Sequence, residues 1–594
     1  MPHKGQILPV SQWKPQTETA GRGANRRAAE AAAKSARRRA ETLYPTGKPA
    51  MRTILSLWSL LLYASPLAAA DLLLTNGRFW TGDAARPWVS TLAITGNRIT
   101  GYDAEPSKQT IDLKGAFAMP GFNDAHIHFL SGSLGLFEVD LNGACSIGEI
   151  QKRVVEYARA NPRQPWITGA GWEYSCIPGG LPRKEDLDAV VKDRPVWLRS
   201  YDGHSAWANS AALRTAGVTK GTAFDGFGEI VKDAKTGELT GAFKEAATRL
   251  VSRHIPPPDR ARQLAAMRKG LELAASLGIT SMQNASGDET LVSLYEELLA
   301  KNELTVRTSI AMWVGLERAE ETCLRAADLW KKHRNDLLKV GAVKFPADGV
   351  IESYTAAMIE PYANKAGERG MLAWPESAFK KAVAACDAMG LQIYTHAIGD
   401  RGVRLALDAY EAVRRPGRDA RHRVEHIETI HPDDVARFAK LGVLPSMQPI
   451  HADPGTIEVW SAAVGEKRLP LAFAWRSLEQ SGARLVFASD WPAAISVDPI
   501  RGLHNAVNRR TTTGLPPGGW IPEQRVPVET ALRAYTANGA YASFDEGRKG
   551  ILRPGMLADV VVLSEDPTRI APERLHEIRV RMTVFDGRVI YQRR

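Results

Sequence analysis

Apolar runs alternate with amphipathic stretches along most of the chain, and this alternation predicts a parallel α/β fold. Stretches such as RARQLAAMRKGLELAASLG and PESAFKKAVAACDAMG have helical spacing and separate short runs of apolar residues. Eight of these runs are candidate strands, near residues 118–128, 279–285, 304–313, 340–348, 391–399, 422–428, 443–449 and 484–492. Because eight parallel strands close a (β/α)8 barrel, we predict a TIM-like barrel over residues 117–544.

The two ends and one long internal segment do not follow this alternation. At 71–116 and 545–594, short apolar runs separated by N-G, G-N and other turn signals favour short antiparallel strands. Residues 130–275, between the first and second candidate strands, are far too many for a strand-to-helix connection. We therefore predict a domain inserted after the first barrel strand.

Metal-capable side chains end several of the apolar runs. They are His126, His128, Lys344, His396, His426 and Asp490. Alternate side chains of a strand share one face, so an H-x-H pair can hold one divalent ion, although such a pair alone is often a loop accident. Catalytic groups of a barrel collect at the carboxyl ends of its strands, where all six residues are expected. A divalent cation there would lower the pKa of water to roughly 7 and provide hydroxide as a nucleophile.

Asp490, in the segment FASDWP, has two interpretations. A carboxylate at the end of the last strand can take a proton from the attacking water and return it to a leaving nitrogen. An aspartate just before Pro492 can also be a helix N-cap without any catalytic role. The ordered histidines around it favour the catalytic interpretation.

Several segments resemble one known family. They are PGFNDAHIHF, KFPADGVIESYTAAMIEPY, THAIGDRG, RVEHIETIHPDD, SMQPIHAD, FASDWPAAISVDP and KGILRPGMLADVVVLSEDP. In this order, from about Asp71 to the C-terminus, they are similar to the YtcJ-like (amidohydro-3) branch of the amidohydrolase superfamily. The resemblance implies a metal-dependent hydrolase of C–N bonds, with one or two divalent ions, most simply Zn²⁺. It also implies that the two ends of the chain form one small β-sandwich beside the barrel.

Lys344 is open to more than one interpretation. An ammonium group cannot ligate a metal, so the residues alone allow a salt-bridging or substrate-binding lysine in a one-metal enzyme. The resemblance implies instead that Lys344 is carbamylated and supplies two oxygens that bridge two ions.

A second set of residues is a weaker prediction for substrate binding. It comprises Trp172, Tyr201, His204, Asp348 and His451. His204 and the two aromatic residues lie in the predicted insertion, where they could equally be packed core or loop residues. Asp348 could brace Lys344 or bind substrate, and His451 follows the seventh strand, where substrate contact is favoured over metal ligation.

The charge distribution argues against nucleic-acid binding. The net charge is +11, of which residues 1–50 contribute +7 and the chain from Asp71 onward only about +3. Residues 1–50 are interpreted as a basic disordered extension that is not necessarily translated. Residues 51–70, MRTILSLWSLLLYASPLAAA, have the layout of a signal peptide and predict a secreted or periplasmic enzyme without a stable membrane insertion. A signal anchor behind the basic tail is the alternative.

The four cysteines, Cys145, Cys176, Cys323 and Cys386, are widely spaced and include no C-x-x-C pair. We expect buried thiols and no disulfide framework. The leading functional hypothesis is hydrolysis of an N-acyl or N-formyl amine, a small-molecule substrate. The same site could serve an ester or lactone, a cyclic imide, a carbamate or a deaminated ring, and a non-catalytic scaffold is the alternative outside enzymes. A homodimer is left open.

Overall fold

The computed structural model describes residues 69–103 and 106–593. The predicted extension at 1–50 and residues 51–68 of the predicted signal peptide lie outside these described residues. The strands are β1 (Ala70–Thr75), β2 (Arg78–Trp80), β3 (Trp88–Val89), β4 (Leu92–Thr95), β5 (Arg98–Gly101), β6 (Ser107–Asp112), β7 (Phe117–Pro120), β8 (Phe122–Ile127), β9 (Val139–Asp140), β10 (Ile167–Trp172), β11 (Val196–Ser200), β12 (Ser205–Ala208), β13 (Gly228–Lys232), β14 (Leu239–Glu245), β15 (Ile279–Gly287), β16 (Arg307–Trp313), β17 (Leu338–Pro346), β18 (Gln392–Ala397), β19 (Arg423–His426), β20 (Leu444–Met447), β21 (Val486–Phe487), β22 (Val560–Leu563), β23 (Val580–Phe585) and β24 (Arg588–Gln592).

The α-helices lie mainly between the strands of the barrel and of the insertion. They span Phe129–Gly135, Ile147–Ala160, Lys184–Asp188, Ser210–Ala216, Arg249–Ser252, Arg260–Ser276, Glu289–Ala300, Ala319–Lys332, Glu376–Ala388, Asp400–Val413, Pro432–Leu441, Glu458–Val464, Trp475–Gln480, Pro499–Asn508, Val528–Ala534 and Ala537–Ala542. Within the described part of the chain, no helix combines the length and the apolar character needed to cross a bilayer.

Eight parallel strands form the central sheet, in the order β8, β15, β16, β17, β18, β19, β20, β21. The first and last strands meet just beyond their carboxyl ends, where the backbone N–H of Asp490 donates to the His126 carbonyl over 2.8 Å. The backbone N–H of His128 donates in turn to the Trp491 carbonyl, also over 2.8 Å. These bonds join the two edges of the sheet, and the predicted TIM-like barrel is confirmed.

The two ends of the described chain form two further sheets beside the barrel. One has the strand order β5, β4, β1, β6, and the other has the order β24, β23, β22, β7, β2, β3. Their facing sides share one apolar core, which includes Leu72, Phe79, Val560 and Val584. The expected β-sandwich built from both ends is therefore present.

The inserted segment contains a mixed sheet of its own, ordered β13, β14, β12, β11, β10, β9. Side chains alternate across β11, so Leu198 packs into one apolar cluster with Trp207, while Trp197 packs into another with Phe243. Because both faces of this sheet are covered, the insertion has its own hydrophobic core, as a separate domain requires.

The expectation of unpaired cysteines is wrong. Cys145 is bonded to Cys176 inside the insertion, and Cys323 is bonded to Cys386 on the barrel. The second bond joins the helices Ala319–Lys332 and Glu376–Ala388, which are neighbours in the ring around the barrel although the cysteines are 63 residues apart in sequence. Spacing along the chain does not report such distances, because the barrel places successive helices side by side.

Candidate metal centre

The six metal-capable residues all lie at or just beyond the carboxyl ends of barrel strands. His126, Lys344, His396 and His426 are in β8, β17, β18 and β19. His128 directly follows β8, and Asp490 lies three residues beyond the end of β21. Five of them line a cavity of about 470 Å³ at the barrel mouth, and His126 lies immediately beneath it, within contact distance of Lys344 and Asp490. The fold therefore brings the whole predicted set together.

Asp490 is the centre of this group. Its Oδ1 lies 3.2 Å from Nε2 of His126 and 3.2 Å from Nε2 of His128. On its other side, Oδ2 lies 3.7 Å from Nδ1 of His426 and 3.6 Å from Nε2 of His451. One carboxylate is thus shared by two pairs of imidazoles.

Two residue groups have donor atoms close enough to hold an ion. In His126, His128 and Asp490, and again in His426, His451 and Asp490, the donor atoms lie within 4.8 Å of one another. Asp490 Oδ1 is buried and accepts no hydrogen bond. A buried carboxylate oxygen without a partner is costly, and a cation would satisfy it. Imidazole and carboxylate donors suit a divalent metal such as zinc, so the residues present fit the expected ion.

The protonation states agree with this interpretation. Burial lowers the pKa of His128, and burial together with neighbouring imidazoles places the pKa of His396 and that of His426 well below the ordinary value. Burial would raise the pKa of Asp490, but His126 and the other imidazoles hold it well below its usual range. Neutral imidazoles and an ionised carboxylate are the forms that ligate metals.

The first two histidines are held in place by hydrogen bonds on their far sides. Nδ1 of His126 lies 2.6 Å from Oε2 of the buried Glu425, and Nδ1 of His128 lies 2.8 Å from Oγ of Ser286. Arg423 donates to Glu425 from Nε over 2.7 Å. Burial alone would raise the pKa of Glu425, yet Arg423 and His126 keep it well below its usual range. Such partners fix the ring orientation and the tautomer of metal ligands.

The backbone at two of these residues lies in the left-handed region. The φ angle is +75° at His426 and +60° at Asp490. Residues other than glycine rarely adopt this conformation, and it is found most often at functional sites. At both residues, this conformation turns the backbone away from the strand direction while the side chain still points into the barrel mouth.

Lys344 lies close to this group without a carboxylate partner of its own. Its Nζ is 3.3 Å from Nε2 of His126, and burial lowers its pKa to about 8. Among the described residues, no carboxylate forms an ion pair with Lys344. It is therefore positioned at the metal-capable group.

His396 is less closely associated with the other ligands than expected. Its Nε2 lies 3.1 Å from the carbonyl oxygen of Gly349, and its ring contacts His426 at a centroid distance of 4.6 Å. His451, a predicted substrate contact, belongs to one of the two compact groups. Its Nδ1 is 3.4 Å from Glu428, which holds the ring toward Asp490.

The remaining predicted substrate contacts have different environments. Trp172 is fully buried in the insertion and donates from Nε1 to the Leu198 carbonyl, so it does not line the mouth. Tyr201 is also buried, and its hydroxyl donates to Glu352 over 2.8 Å. Asp348 reaches the cavity edge but accepts backbone N–H groups of Ala357, Ile398 and Gly399, so it braces loops rather than Lys344.

His204 lines the cavity and is positioned by a residue that the sequence did not reveal. Its Nδ1 is 2.8 Å from Oε2 of Glu245, whose Oε1 accepts a hydrogen bond from Thr355 over 2.5 Å. Burial would lower the pKa of His204, but Glu245 raises it to about 9. A Cβ atom on Gly349 would lie only 2.4 Å from Glu245 Oε1, so this close approach requires glycine. Glu245 thus links the insertion to the barrel beside the metal centre.

Comparisons with known proteins agree with this geometry. Residues 109–591 match the family model described as "Amidohydrolase family". The chain is 30% identical to the protein LONG AFTER FAR-RED 3 of Arabidopsis thaliana, covering 85% of this chain and 90% of that one. It is 29% identical to YtcJ of Bacillus subtilis (82% and 91% covered) and 27% identical to the N-substituted formamide deformylase of Arthrobacter pascens (88% and 98% covered).

A solved structure is also similar. It is an uncharacterized metal-dependent hydrolase from Pyrococcus furiosus, with a TM-score of 0.65 and 27% identity, covering 84% of this chain and all of that one. The family match, the barrel and the histidine-rich mouth together confirm the resemblance to the YtcJ-like branch. The chain belongs to the amidohydrolase family and is a metal-dependent hydrolase.

Proposed function

We propose that the enzyme hydrolyses amide-like C–N bonds of the N-acyl or N-formyl amine type. The observation that carries the proposal is the unsatisfied Asp490 Oδ1, 3.2 Å from both His126 and His128. The similarity to an N-substituted formamide deformylase, which extends over 98% of that protein, supports the choice of amide chemistry.

His126, His128 and Asp490 would hold the ion, with His426, His451 and His396 beside them. A bound divalent cation, which we propose is zinc, supplies an activated water and polarises the substrate carbonyl. The Asp490 carboxylate is ionised at neutral pH and can accept a proton on Oδ2 and return it to the departing nitrogen. His204, protonated and held by Glu245, can donate a hydrogen bond from Nε2 to the substrate.

We also propose that Lys344 is carbamylated when the centre is loaded. An ammonium 3.3 Å from a ligand imidazole would repel the ion, whereas a carbamate would attract it. Lys344→Ala should lose activity and regain part of it when short carboxylic acids are added. If carboxylic acids give no rescue while the variant still folds and binds a full complement of metal, Lys344 is an unmodified lysine of a one-metal centre.

The enzyme is proposed to work outside the cytoplasm. Residues 51–70 have the layout of a signal peptide, and disulfides such as Cys145–Cys176 and Cys323–Cys386 persist in oxidising compartments. N-terminal sequencing of the native protein should begin near Asp71, and alkylation without reduction should label no cysteine. An intact N-terminal segment on cytoplasmic protein with free thiols would contradict export.

The function itself is tested by removing and restoring the metal. Chelated protein should be inactive, and reloading with Zn²⁺ should restore release of free amine from N-formyl and N-acetyl alkylamines. Esters, lactones, carbamates and cyclic imides are assayed in parallel as alternative substrates. If the loaded protein hydrolyses one of these and leaves every open-chain amide intact, the proposed bond specificity is wrong while the hydrolase assignment stands.

A further inference from the structure

A second, larger groove opens from the cavity at the metal centre. It has a volume of about 1150 Å³ and lies beside the cavity of about 470 Å³ that contains the metal-capable residues. The two share Phe227, Arg249, Trp313, Gly315 and Leu316, so they are continuous. The insertion supplies Phe227 and Arg249, and the barrel supplies the other three, so the groove begins where the two domains meet over the mouth.

Large apolar side chains are exposed along this groove. Trp313 is 40% exposed, Leu316 is 47% exposed and Leu324 is 54% exposed. Among the described residues only eight large apolar side chains are at least 38% exposed, and three of them line one groove. Single exposed apolar residues are ordinary on a soluble protein, but several in one concave surface indicate a binding site.

The three exposed apolar side chains lie at increasing distance from the metal-capable residues. Trp313 ends β16 and is the register partner of Lys344 on β17. Trp313 and Leu316 line both cavities, whereas Leu324 lines only the outer groove. An apolar chain that left the metal centre would therefore meet Trp313 and Leu316 first and Leu324 farther out.

Of the eight charged residues that line the groove, four compensate one another and Asp328 pairs with Lys331. Arg318 forms an ion pair with Glu321, and Arg325 forms one with Glu289. Arg249, at the junction of the two cavities, is exposed and has no hydrogen-bond or ion-pair partner for its side chain among the described residues. A chain of methylenes or an aryl-alkyl group can pass along such a surface without leaving a charge buried, and Arg249 can contact a polar atom near the reacting end.

We propose that the substrate carries an extended apolar chain that lies in this groove, over Trp313 and Leu316 toward Leu324. This inference rests on the proposed amide hydrolysis and names the class of amide. The cavity at the metal centre alone has room for a small substrate, but such a substrate would leave the apolar surface beyond it in water. A chain that covers this surface adds binding free energy for each methylene removed from water.

The test uses two chain-length series on the metal-loaded, full-length enzyme. One is N-formyl-n-alkylamines with methyl, butyl, octyl and dodecyl chains, and the other is N-acyl-methylamines of the same lengths. For one of the series we expect kcat/KM to rise about twofold per methylene, which corresponds to partial burial of each group, mainly through a lower KM. The series that rises identifies whether the acyl or the amine side occupies the groove.

Variants locate the effect within the protein. Trp313→Ala should flatten the series from butyl onward, and Leu324→Ser should cause a loss that grows beyond butyl. Leu515→Ser is the matched control, because Leu515 is 58% exposed and lines neither cavity. It should leave both series unchanged. Equal kcat/KM at all chain lengths in both series would overturn the proposal.

A binding measurement separates this inference from the proposed function. Calorimetry of n-octanoate against acetate, and of octylamine against methylamine, reports the groove without any hydrolysis. If no amide is cleaved but the octyl compound binds more tightly and Trp313→Ala abolishes the difference, only the proposed reaction fails. If neither compound shows a chain-length effect and Leu324→Ser dissociates an oligomer, the groove is a subunit interface and the proposal is wrong.

Discussion

The two ends of the barrel both gather buried charged groups, but they differ in how completely those groups are paired. At the amino end, Arg307 begins β16 and donates to both oxygens of Asp559 over 2.6 and 2.9 Å, and to Asp586 over 2.8 Å. At the carboxyl end, Asp490 is surrounded by imidazoles, and its Oδ1 has no hydrogen bond. Each end therefore contains buried charge, but the Arg307 guanidinium is paired with carboxylates whereas Asp490 Oδ1 has no hydrogen-bond partner.

The difference separates structural charge from functional charge. The Arg307 network lies between the barrel and the sandwich, and its bonds are complete within the protein, so it needs nothing from outside. At the carboxyl end, Asp490 Oδ1 has no such partner, and burying an unpaired carboxylate oxygen has a cost in stability that a bound cation can offset. Perturbed pKa values alone would not distinguish the ends, because burial also lowers the pKa of Lys549, near the amino end, to about 8.

The largest expected effect comes from removing the paired histidines. A His126→Ala/His128→Ala protein should fold, lose its metal and show no measurable hydrolysis, because two of the three donors in the group of His126, His128 and Asp490 are gone. Elemental analysis together with turnover checks this. His431→Ala, which changes a histidine that caps the helix Pro432–Leu441, is the control and should keep both. Full metal content in the double variant would mean that the ion lies elsewhere.

The next effect concerns proton transfer. Asp490→Asn keeps the size of the side chain but cannot accept the proton, so kcat should fall by about 10² to 10⁴ with folding retained. The matched control is Asp498→Asn, because Asp498 is an N-cap that accepts the backbone N–H of Ile500 over 2.9 Å. It should cost about 1 kcal/mol of stability or less, with turnover kept. Turnover near the unsubstituted rate in Asp490→Asn would assign Asp490 a structural role.

At the amino end, substitution should affect stability rather than activity. Arg307→Met leaves the buried carboxylate of Asp559 and the partly buried one of Asp586 without their cation, and we expect it to lower the free energy of unfolding by about 3–5 kcal/mol. Urea denaturation measures this, and the specific activity of the folded fraction should stay unchanged. Arg574→Met, at an exposed arginine paired with Glu577, is the control and should show no measurable change. A loss of turnover without a loss of stability would contradict a purely structural role for the charged groups at the amino end.

The smallest effect is a pH dependence at the same end. Burial would raise the pKa of Asp545, but Lys549 and Lys339 hold it below its ordinary value. A depressed folded-state pKa stabilises the protein above the unfolded-state pKa of about 3.9, and this stability is lost as the pH falls through the folded-state value. Asp545→Asn should therefore cost about 1 kcal/mol equally at pH 7 and pH 5, and less below about pH 4. A cost that grows as the pH falls from 7 to 5 would mean that the folded-state pKa of Asp545 is raised, which is the opposite sign.

Local pattern was sufficient to predict the barrel and the position of the metal-capable residues at the ends of its strands. Each of the eight apolar runs became a strand, and the residues at their ends met because parallel strands share one edge. The contacts that the sequence did not predict depend on distant parts of the chain. Cys323 meets Cys386 through helix packing, and His126 meets Glu425 across the inside of the barrel, 299 residues away.

The remaining differences arise from a hydrogen bond, from core packing and from the path of a loop. The carbonyl of Gly349 lies within hydrogen-bond distance of Nε2 of His396, and no sequence pattern reports where a loop carbonyl points. Trp172 looked like a pocket wall, but an aromatic residue on an apolar strand is more often part of a core, and here it is. The closeness of His451 to Asp490 likewise results from the loop after β20, which no periodicity describes.

The pairing of β7 with β22 has a consequence for biosynthesis. Met119 is the register partner of Val561, so a strand made early waits for one made about 440 residues later. Until β22 has left the ribosome, the edge of β7 that it will cover has unpaired backbone groups, with which other chains can form hydrogen bonds. Prematurely terminated products should therefore aggregate or be degraded even when they contain every barrel strand and every residue of the metal centre. The sandwich can therefore form only after the strands near the C-terminus have been translated.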